Sequence, residues 1–297
     1  MPNILISDKV DKSVIDQINN KGKFIFNYQP EITPQELVKI IPDYDGLVVR
    51  SRTKVTAEVI DRGHNLKVIA RVGSGLDNID ILEAKKRKIT IVNSPESNSE
   101  AVTELTVGLI LALLRKLPLA YSSMNQGLWI KKELKGVEIE GKKVGIIGYG
   151  HIGKSVAKIF TAFGAKVDYY SRSKKTNSLK YIFKNSDIIT VHLPLNNDTK
   201  NLINLDLLSL MKPTGFFVNT SRGGVVDEKA LFKILQEKKI MGAALDVFWQ
   251  EPLPPTSPWR KLPNVILTPH IAASTSEALK KGTKTVVDEI IKILSKK

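Results

Sequence analysis

The chain has 297 residues, of which 42% are hydrophobic, and this length predicts two domains with separate cores. The absence of cysteine excludes disulfides, a thiol nucleophile and thiolate metal ligands, and we expect no metal site. No apolar run is long enough to span a membrane. The net charge is +15, but the lysines are dispersed and no nucleic-acid-binding motif is present. We therefore expect the protein to bind neither a specific nucleic acid nor a membrane. The N-terminus lacks a signal-peptide pattern, which makes the cytoplasm the expected location.

Short apolar strands alternate with helical segments in the N-terminal third of the chain. The strands are predicted at residues 4–6, 24–26, 47–49, 67–70 and 89–92, and a helix is predicted to begin at Thr33-Pro34. This alternation predicts a parallel sheet that is covered on both faces. Ligands of such sheets bind beyond the carboxyl ends of the strands, and Arg50 and Arg71 each lie at such an end.

A second strand–helix series follows a linker at Asn93–Pro95 and a long apolar helix predicted over 99–117. Its strands are predicted at residues 144–147, 167–170, 188–191, 216–218, 242–245 and 265–267, and a final helix over 274–294.

A glycine turn lies at the start of this second series. The apolar strand Val144–Ile147 leads directly into Gly148-x-Gly150-x-x-Gly153, and an apolar-periodic helix follows. The three glycines allow a tight turn, close approach to a pyrophosphate and close helix–strand packing. The backbone of His151 and Ile152, at the helix start, can contact the phosphates. Strand, turn and helix together predict a dinucleotide site.

The end of the next strand bears on the choice of dinucleotide. An NAD site carries an acidic residue there, whereas this strand ends in Ser171-Arg172, followed by Lys174 and Lys175, and Asp168 lies inside the strand. Serine with cations can bind a 2′-phosphate. We therefore favour NADP over NAD; a basic surface turn is the alternative.

Three further segments carry Arg222, Glu251 and His270, each shortly after a predicted strand. Their side chains can therefore converge at the carboxyl edge of the sheet. Taken alone, each residue can have a role outside catalysis: Arg222 as a loop residue, Glu251 as part of a Glu-Pro turn and His270 as a surface histidine. Together behind a dinucleotide turn they favour a catalytic site.

This ordered set resembles the D-isomer-specific 2-hydroxyacid dehydrogenases over essentially the whole chain, including residues 107–113, His192–Pro194 and Met211–Pro213. The resemblance implies an α/β fold of two similar doubly wound parallel-sheet domains, with the active site in the cleft. A flavodoxin-like substrate domain would comprise residues 1–97 plus 272–297, and a Rossmann nucleotide-binding domain residues 98–271. It also implies a homodimer formed largely through the nucleotide domain.

The resemblance also implies roles for single residues. His270 matches the acid/base, Glu251 its carboxylate partner and Arg222 the guanidinium that grips the substrate carboxylate; imidazole is the natural proton donor near neutral pH. Implied cofactor contacts are Ser74, Leu193, Thr220, Ser221 and Asp246, the last with the nicotinamide carboxamide. The backbone of Val72, Gly73 and Ser74 would receive the substrate carboxylate.

The loops at Arg50 and Arg71 look most like those of 3-phosphoglycerate dehydrogenase, in which the matching arginines hold the phosphate end. The predicted function is hydride transfer between a nicotinamide cofactor and C2 of a small anionic 2-hydroxy or 2-keto acid, with 3-phosphoglycerate/3-phosphohydroxypyruvate (serine biosynthesis) as the first candidate. Because no regulatory domain follows, serine feedback is not expected. The alternatives are an NADPH-dependent glyoxylate/hydroxypyruvate reductase and, from another class, a dinucleotide-sensing corepressor.

Overall fold

The computed structural model describes residues 1–19, 22–172 and 176–295 and divides into two compact units. Unit 1 comprises Met1–Asn98 and Ala273–Lys297, and unit 2 comprises Ser99–Ala272. The boundaries expected from the sequence lay after residues 97 and 271. Two α/β units built on parallel sheets confirm the predicted fold class.

Unit 1 is a five-stranded parallel sheet with helices on both faces. The strand order is β2-β1-β3-β4-β5, the flavodoxin-like order. Its strands are β1 (Asn3–Ile6), β2 (Ile25–Tyr28), β3 (Gly46–Val49), β4 (Val68–Arg71) and β5 (Thr90–Asn93). Its helices are α1 (Lys12–Asn19), α2 (Pro34–Ile40), α3 (Ala57–Arg62), α4 (Ile81–Lys86) and, from the end of the chain, α11 (Ser276–Leu294).

Local signals in the sequence account for these elements. Thr33 caps α2 in a reciprocal capping box with Glu36, as the Thr-Pro start predicts. Strands β3 and β4 are buried at every position, because helices cover both faces of the sheet. Helix α11 supplies Val286, Val287 and Ile290 to one of the two cores of unit 1.

Unit 2 is a six-stranded parallel sheet in the order β11-β10-β9-β8-β6-β7. Its strands are β6 (Lys143–Ile147), β7 (Lys166–Tyr170), β8 (Ile188–Val191), β9 (Phe216–Asn219), β10 (Gly242–Leu245) and β11 (Val265–Leu267). Its helices are α5 (Ser99–Leu114), α6 (Leu117–Asn125), α7 (His151–Ala162), α8 (Leu179–Asn185), α9 (Leu205–Leu208) and α10 (Glu228–Gln236).

The strand order places the glycine turn at a change of direction in the sheet. The chain adds β7 on one side of β6 and then returns to add β8 on the other side, whereas the six-strand dinucleotide-binding order has two strands outside the first. The carboxyl ends of β6 and β8 therefore form the switch point where ligands of such sheets bind.

The long helix expected over 99–117 is two helices in the structure. Helix α5 ends at Leu114, where the carbonyl oxygen accepts a hydrogen bond from Val137, and Lys116 adopts a left-handed φ of 52° before α6 begins. Helix α5 packs against α7, and its apolar width reflects this burial. Within the described ranges, no helix combines the length and apolar character needed to cross a bilayer.

Candidate active site

The glycine turn of unit 2 is sterically obligatory at two positions and open at the third. Gly148 has φ 100°, and a Cβ there would lie 2.5 Å from the His192 carbonyl oxygen. A Cβ on Gly153 would lie 2.1 Å from the Gly148 oxygen, so helix and turn touch directly. At Gly150 a Cβ would meet no atom of the described residues within 4 Å.

Gly150 is also the N-cap of α7, and no side chain of the described residues caps that helix. An uncapped helix start leaves backbone N–H groups and the positive end of the dipole available to an anion. The open space at Gly150 and this helix start fit a dinucleotide pyrophosphate. His151 and Ile152, the first two residues of α7, lie where the sequence placed them.

The loop after β8 borders the same turn. The Nε2 atom of His192 lies 3.0 Å from the Thr190 hydroxyl, and burial lowers the pKa of the His192 imidazole to about 3. The ring is therefore neutral near pH 7 and is no candidate acid. Leu193 beside it is buried in the core of unit 2.

The end of β7 carries the residues that bear on cofactor choice. Arg172 Nη1 lies 2.8 Å from Asp198 Oδ2 in an exposed ion pair, and the Ser171 amide donates to the Thr176 hydroxyl. Asp168 Oδ1 accepts from Asn177 within the strand region. Lys174 and Lys175, the cations that follow Arg172 in the sequence, lie outside the described residues. An exposed pair is weak, so Arg172 can exchange Asp198 for another anion.

Glu251 and His270 form a close pair. His270 Nδ1 lies 2.6 Å from Glu251 Oε2, and Glu251 Oε1 accepts the backbone N–H of Phe248 at 2.9 Å. Burial raises the pKa of the Glu251 carboxyl, but the His270 and Phe248 hydrogen bonds, with the charges of His270 and Arg222, outweigh burial and lower it. The carboxylate is thus held charged against Nδ1, which leaves Nε2 for a proton transfer.

His270 has a left-handed φ of 53°, and the fully buried carboxylate of Asp246 holds its loop. Asp246 Oδ1 accepts from the Thr268 hydroxyl at 2.5 Å and from the Ile271 amide at 2.9 Å, and Oδ2 accepts from the Ala272 amide at 2.9 Å. The Asp246 carbonyl oxygen accepts the His270 amide at 2.8 Å. The sequence did not predict this bracing of the His270 loop.

Arg222 follows β9 on a turn that Asn219 fixes. Asn219 Nδ2 donates to the Arg222 carbonyl at 3.0 Å, and Asn219 Oδ1 accepts from the amide and hydroxyl of Ser221. A Cβ on Gly223 would lie 2.2 Å from the Phe248 carbonyl carbon, so the Arg222 loop touches the loop that leads to Glu251. The three predicted catalytic residues thus belong to neighbouring loops of unit 2. Asn219 was not predicted, although a polar side chain that ends a buried strand is a signal for it.

Two predicted cofactor contacts have protein partners. The hydroxyls of Thr220 and Thr106 share a buried hydrogen bond of 2.8 Å, which ties the strand end to α5. The Ser221 hydroxyl donates to Asn219. Both side chains therefore help to fix the turn before Arg222.

In unit 1, the Arg71 guanidinium donates hydrogen bonds to two backbone carbonyls. Its side chain is 7% exposed; Nε donates to the Arg50 carbonyl at 3.1 Å, and Nη1 donates to the Gly75 carbonyl. These two bonds tie the Arg71 guanidinium to the loops after β3 and β4. The bonds to the Arg50 and Gly75 carbonyls give Arg71 a bracing role, and its phosphate contact stays a prediction.

The loop predicted to receive the substrate carboxylate also has internal hydrogen bonds. The Val72 amide donates to the Val49 carbonyl, and the Gly73 amide donates to the Ser94 hydroxyl at 2.9 Å. These two N–H groups are thus already used inside unit 1. The Ser74 hydroxyl lies 2.8 Å from Asn98 Oδ1, and Asn93 donates to the Ser74 carbonyl. The Ser74 amide is the part of this loop that stays a candidate for an anion.

Comparisons with known proteins agree with this geometry. The family model described as "D-isomer specific 2-hydroxyacid dehydrogenase, NAD binding domain" matches residues 107–272. The chain is 43% identical to a hydroxypyruvate reductase from Thermotoga maritima, over 97% of each chain. It is 42% identical to a D-3-phosphoglycerate dehydrogenase from Methanocaldococcus jannaschii, over 99% of this chain and 58% of that one.

The chain belongs to the D-isomer-specific 2-hydroxyacid dehydrogenase family. A solved NADPH-dependent glyoxylate/hydroxypyruvate reductase from Sinorhizobium meliloti, in complex with NADP and malonate, superposes with a TM-score of 0.85 at 29% identity, over 99% of this chain and 94% of that one. The chain is therefore an NAD(P)-dependent oxidoreductase that transfers hydride on 2-hydroxy acids, as a member of this dehydrogenase family. It spans just over half the length of the M. jannaschii phosphoglycerate dehydrogenase.

Proposed function

We propose that this family member interconverts 3-phosphoglycerate and 3-phosphohydroxypyruvate. The observation that carries the proposal is Arg50, a partly exposed guanidinium at the end of β3 with which no group among the described residues pairs. An unpaired guanidinium at a strand end suits a phosphate, because its planar fork matches two phosphate oxygens. Arg50 would bind the phosphate end, and the Ser74 amide the carboxylate.

The residues of unit 2 would carry the chemistry. Nε2 of His270 would give a proton to the C2 oxygen during reduction and take it back during oxidation, while Glu251 holds Nδ1 and orients the ring. Arg222 would hold the substrate carboxylate and polarise the C2 carbonyl. A nicotinamide dinucleotide, when bound, supplies the hydride chemistry at C2.

The same unit would hold that dinucleotide. Gly148, Gly150 and Gly153 would admit the pyrophosphate to the start of α7, next to the backbone of His151 and Ile152. Ser171 and Arg172 would receive a 2′-phosphate, which favours NADP. Leu193, Thr220, Ser221 and Asp246 would line the remainder. Asp246 would also support the His270 loop through its bonds to the Ile271 and Ala272 amides.

Reduction of hydroxypyruvate or glyoxylate is the second candidate. The observation that favours it is Arg71, whose guanidinium is buried on two backbone carbonyls and leaves Arg50 to bind a dianion without its help. Hydroxypyruvate carries an uncharged hydroxyl at C3 and glyoxylate has no C3, so neither substrate needs a second guanidinium.

We further propose a homodimer through unit 2. Six exposed apolar residues cluster on α6 and the loop after it, among them Tyr121 at 73% and Trp129 at 79% exposure. The others are Leu117, Leu119, Met124 and Leu128. Several large exposed apolar side chains on one short segment are typical of a protein–protein interface.

Steady-state kinetics with 3-phosphohydroxypyruvate, hydroxypyruvate and glyoxylate, each with NADH and NADPH, test the assignment. We expect the highest kcat/KM for the phosphorylated substrate. Negligible turnover of that substrate beside efficient turnover of hydroxypyruvate would replace the first candidate by the second. Sedimentation of the wild-type chain and of Trp129→Glu tests the dimer, for which we expect dissociation of the variant.

A further inference from the structure

The Arg50 loop of unit 1 runs from Arg50 to Thr53, between β3 and α3, and its two arginines differ. The Arg52 guanidinium is turned back into the protein, where Nη1 donates to the Ile32 carbonyl at 2.9 Å, Nη2 donates to the Ser7 carbonyl, and Nε lies 3.3 Å from Asp8 Oδ1. The Arg50 guanidinium has no such partner in the described part of the chain. Arg52 therefore stabilises the loop, whereas the Arg50 side chain can bind a ligand.

Asp8 holds the backbone donors of this loop. Its carboxylate, 2% exposed, accepts from the Arg50 amide at 2.5 Å, from the Thr53 amide at 3.2 Å and from the Thr53 hydroxyl at 2.7 Å. These are charge-assisted hydrogen bonds in a buried site, where they are strongest. Asp8 follows β1, so one strand end supports the loop of its neighbour.

Asn78 holds the backbone acceptors of the same two residues. Its Nδ2 donates to the Arg50 carbonyl at 3.0 Å and to the Thr53 carbonyl at 2.7 Å. Its Oδ1 is buried without a hydrogen-bond partner among the described residues. A buried acceptor without a partner costs folding free energy. The Asn78 side chain accepts this cost in the orientation that points both of its N–H donors at the loop.

Asp8 and Asn78 thus clamp Arg50 and Thr53 from opposite sides. One takes their N–H groups and the other takes their carbonyl groups, which fixes the peptide planes on both sides of the Arg50 Cα. A fixed Cα–Cβ direction lowers the entropy that the long Arg50 side chain loses when it binds an anion.

We propose that Asp8 and Asn78 are positioning residues that determine selectivity for substrates with an anionic group at C3. The proposal rests on the proposed function in one respect, namely that Arg50 binds this group. Neither residue touches the substrate; each acts through the backbone of the Arg50 loop.

The test compares 3-phosphohydroxypyruvate with hydroxypyruvate, two substrates that differ in the phosphate alone. The selectivity ratio is kcat/KM for the first divided by kcat/KM for the second, measured in wild type, Arg50→Ala, Asp8→Asn, Asn78→Ala and the double variant Arg50→Ala/Asp8→Asn. The matched control is Asp45→Asn. Asp45 is a carboxylate at the opposite end of β3 that accepts the Asn3 amide and pairs with Lys67, so its loss perturbs the same sheet away from the Arg50 loop.

We expect Asp8→Asn and Asn78→Ala each to lower the selectivity ratio about tenfold, mainly through KM for the phosphorylated substrate, as loss of a charge-assisted contact implies. The control should keep the ratio within about twofold of wild type, as expected for a distant, independent site. In the Arg50→Ala background, Asp8→Asn should lower the ratio no further, because the group that it positions is gone.

Two results would overturn the proposal, and they differ. A lowered ratio in Arg50→Ala beside a wild-type ratio in Asp8→Asn and Asn78→Ala would leave Arg50 as the anion contact and refute the clamp. An unchanged ratio in Arg50→Ala would refute the contact itself and the clamp with it. A general loss of fold lowers turnover of both substrates together and leaves the ratio unchanged, and if Asp8→Asn does not fold, Asn78→Ala decides alone.

Discussion

The same arrangement occurs in unit 1 and in unit 2: a buried aspartate at a strand end accepts hydrogen bonds from backbone amides and so fixes a loop. Asp246 in unit 2 holds the loop of His270, and Asp8 in unit 1 holds the loop of Arg50. The loops differ in what they carry. His270 is already paired with Glu251, whereas Arg50 has no partner among the described residues.

This difference separates two tasks. A proton donor needs its charge state and orientation set before the substrate arrives, and a bonded carboxylate supplies both. A group that selects an anion needs its partner position open, so that binding replaces water rather than a protein carboxylate. The same backbone device can therefore serve catalysis in one unit and selection in the other.

The largest expected effect concerns the side chain that the unit 2 loop carries. His270→Ala should lower kcat about a thousandfold, since a positioned general acid–base contributes ~10²–10⁴. His64→Ala, at an exposed histidine of unit 1, is the matched control and should leave kcat unchanged. Wild-type turnover in His270→Ala would contradict the role of His270 as the general acid–base.

The next effect concerns the supporting carboxylate. Asp246→Asn places an NH₂ group against backbone donors, and we expect kcat to fall about tenfold or more and stability to fall by ~1–3 kcal/mol. Asp187→Asn is the control, because Asp187 accepts the Lys143 amide and pairs with Lys212 at the amino end of the same sheet. It should lower Tm without lowering kcat. Equal kcat values in the two variants would mean that Asp246 does not act through His270.

A smaller effect is expected at the cofactor end of unit 2. Arg172→Ala should lower kcat/KM for NADPH about tenfold and leave NADH unaffected, because a guanidinium–phosphate contact is lost. Asp198→Asn should do the opposite and improve NADPH use, since it releases Arg172 from its ion pair. A strong NADH preference that neither substitution changes would contradict the role of the β7 end.

The smallest effect is the pH dependence of stability at Glu251. Its pKa is lower in the folded state than the ordinary value, so its carboxylate stabilises the fold above that ordinary value, and the contribution is lost as pH falls through the folded-state pKa. Urea unfolding of wild type and Glu251→Gln between pH 7 and about pH 3 should show a stability difference that shrinks below pH ~4. A pH-independent difference would mean that the pairing with His270 does not lower this pKa.

Much of the architecture was predictable because apolar runs and glycine turns act locally. All eleven predicted strands and the final helix appear, and Arg50, Arg222 and His270 lie just beyond strand ends as expected. The break at Lys116 was not predicted, since an unbroken apolar pattern conceals a single left-handed residue.

Side-chain direction was the least predictable property. Arg50 and Arg71 look equivalent in sequence, yet Arg71 is buried on the Arg50 and Gly75 carbonyls because both loops fold back over its strand end. The sequence also did not indicate that the Asp246 carboxylate accepts three hydrogen bonds from its own unit. Such partners depend on how neighbouring loops meet, which no local pattern encodes.

The place of α11 in unit 1 has a consequence for biosynthesis. Unit 2 is a contiguous segment that can fold once Ala272 has left the ribosome, whereas one core of unit 1 still lacks Val286, Val287 and Ile290 at that moment. N-terminal segments usually fold first during translation, but here the first strands made must wait for the last helix. Until α11 emerges, the apolar residues that pack against it lack this cover.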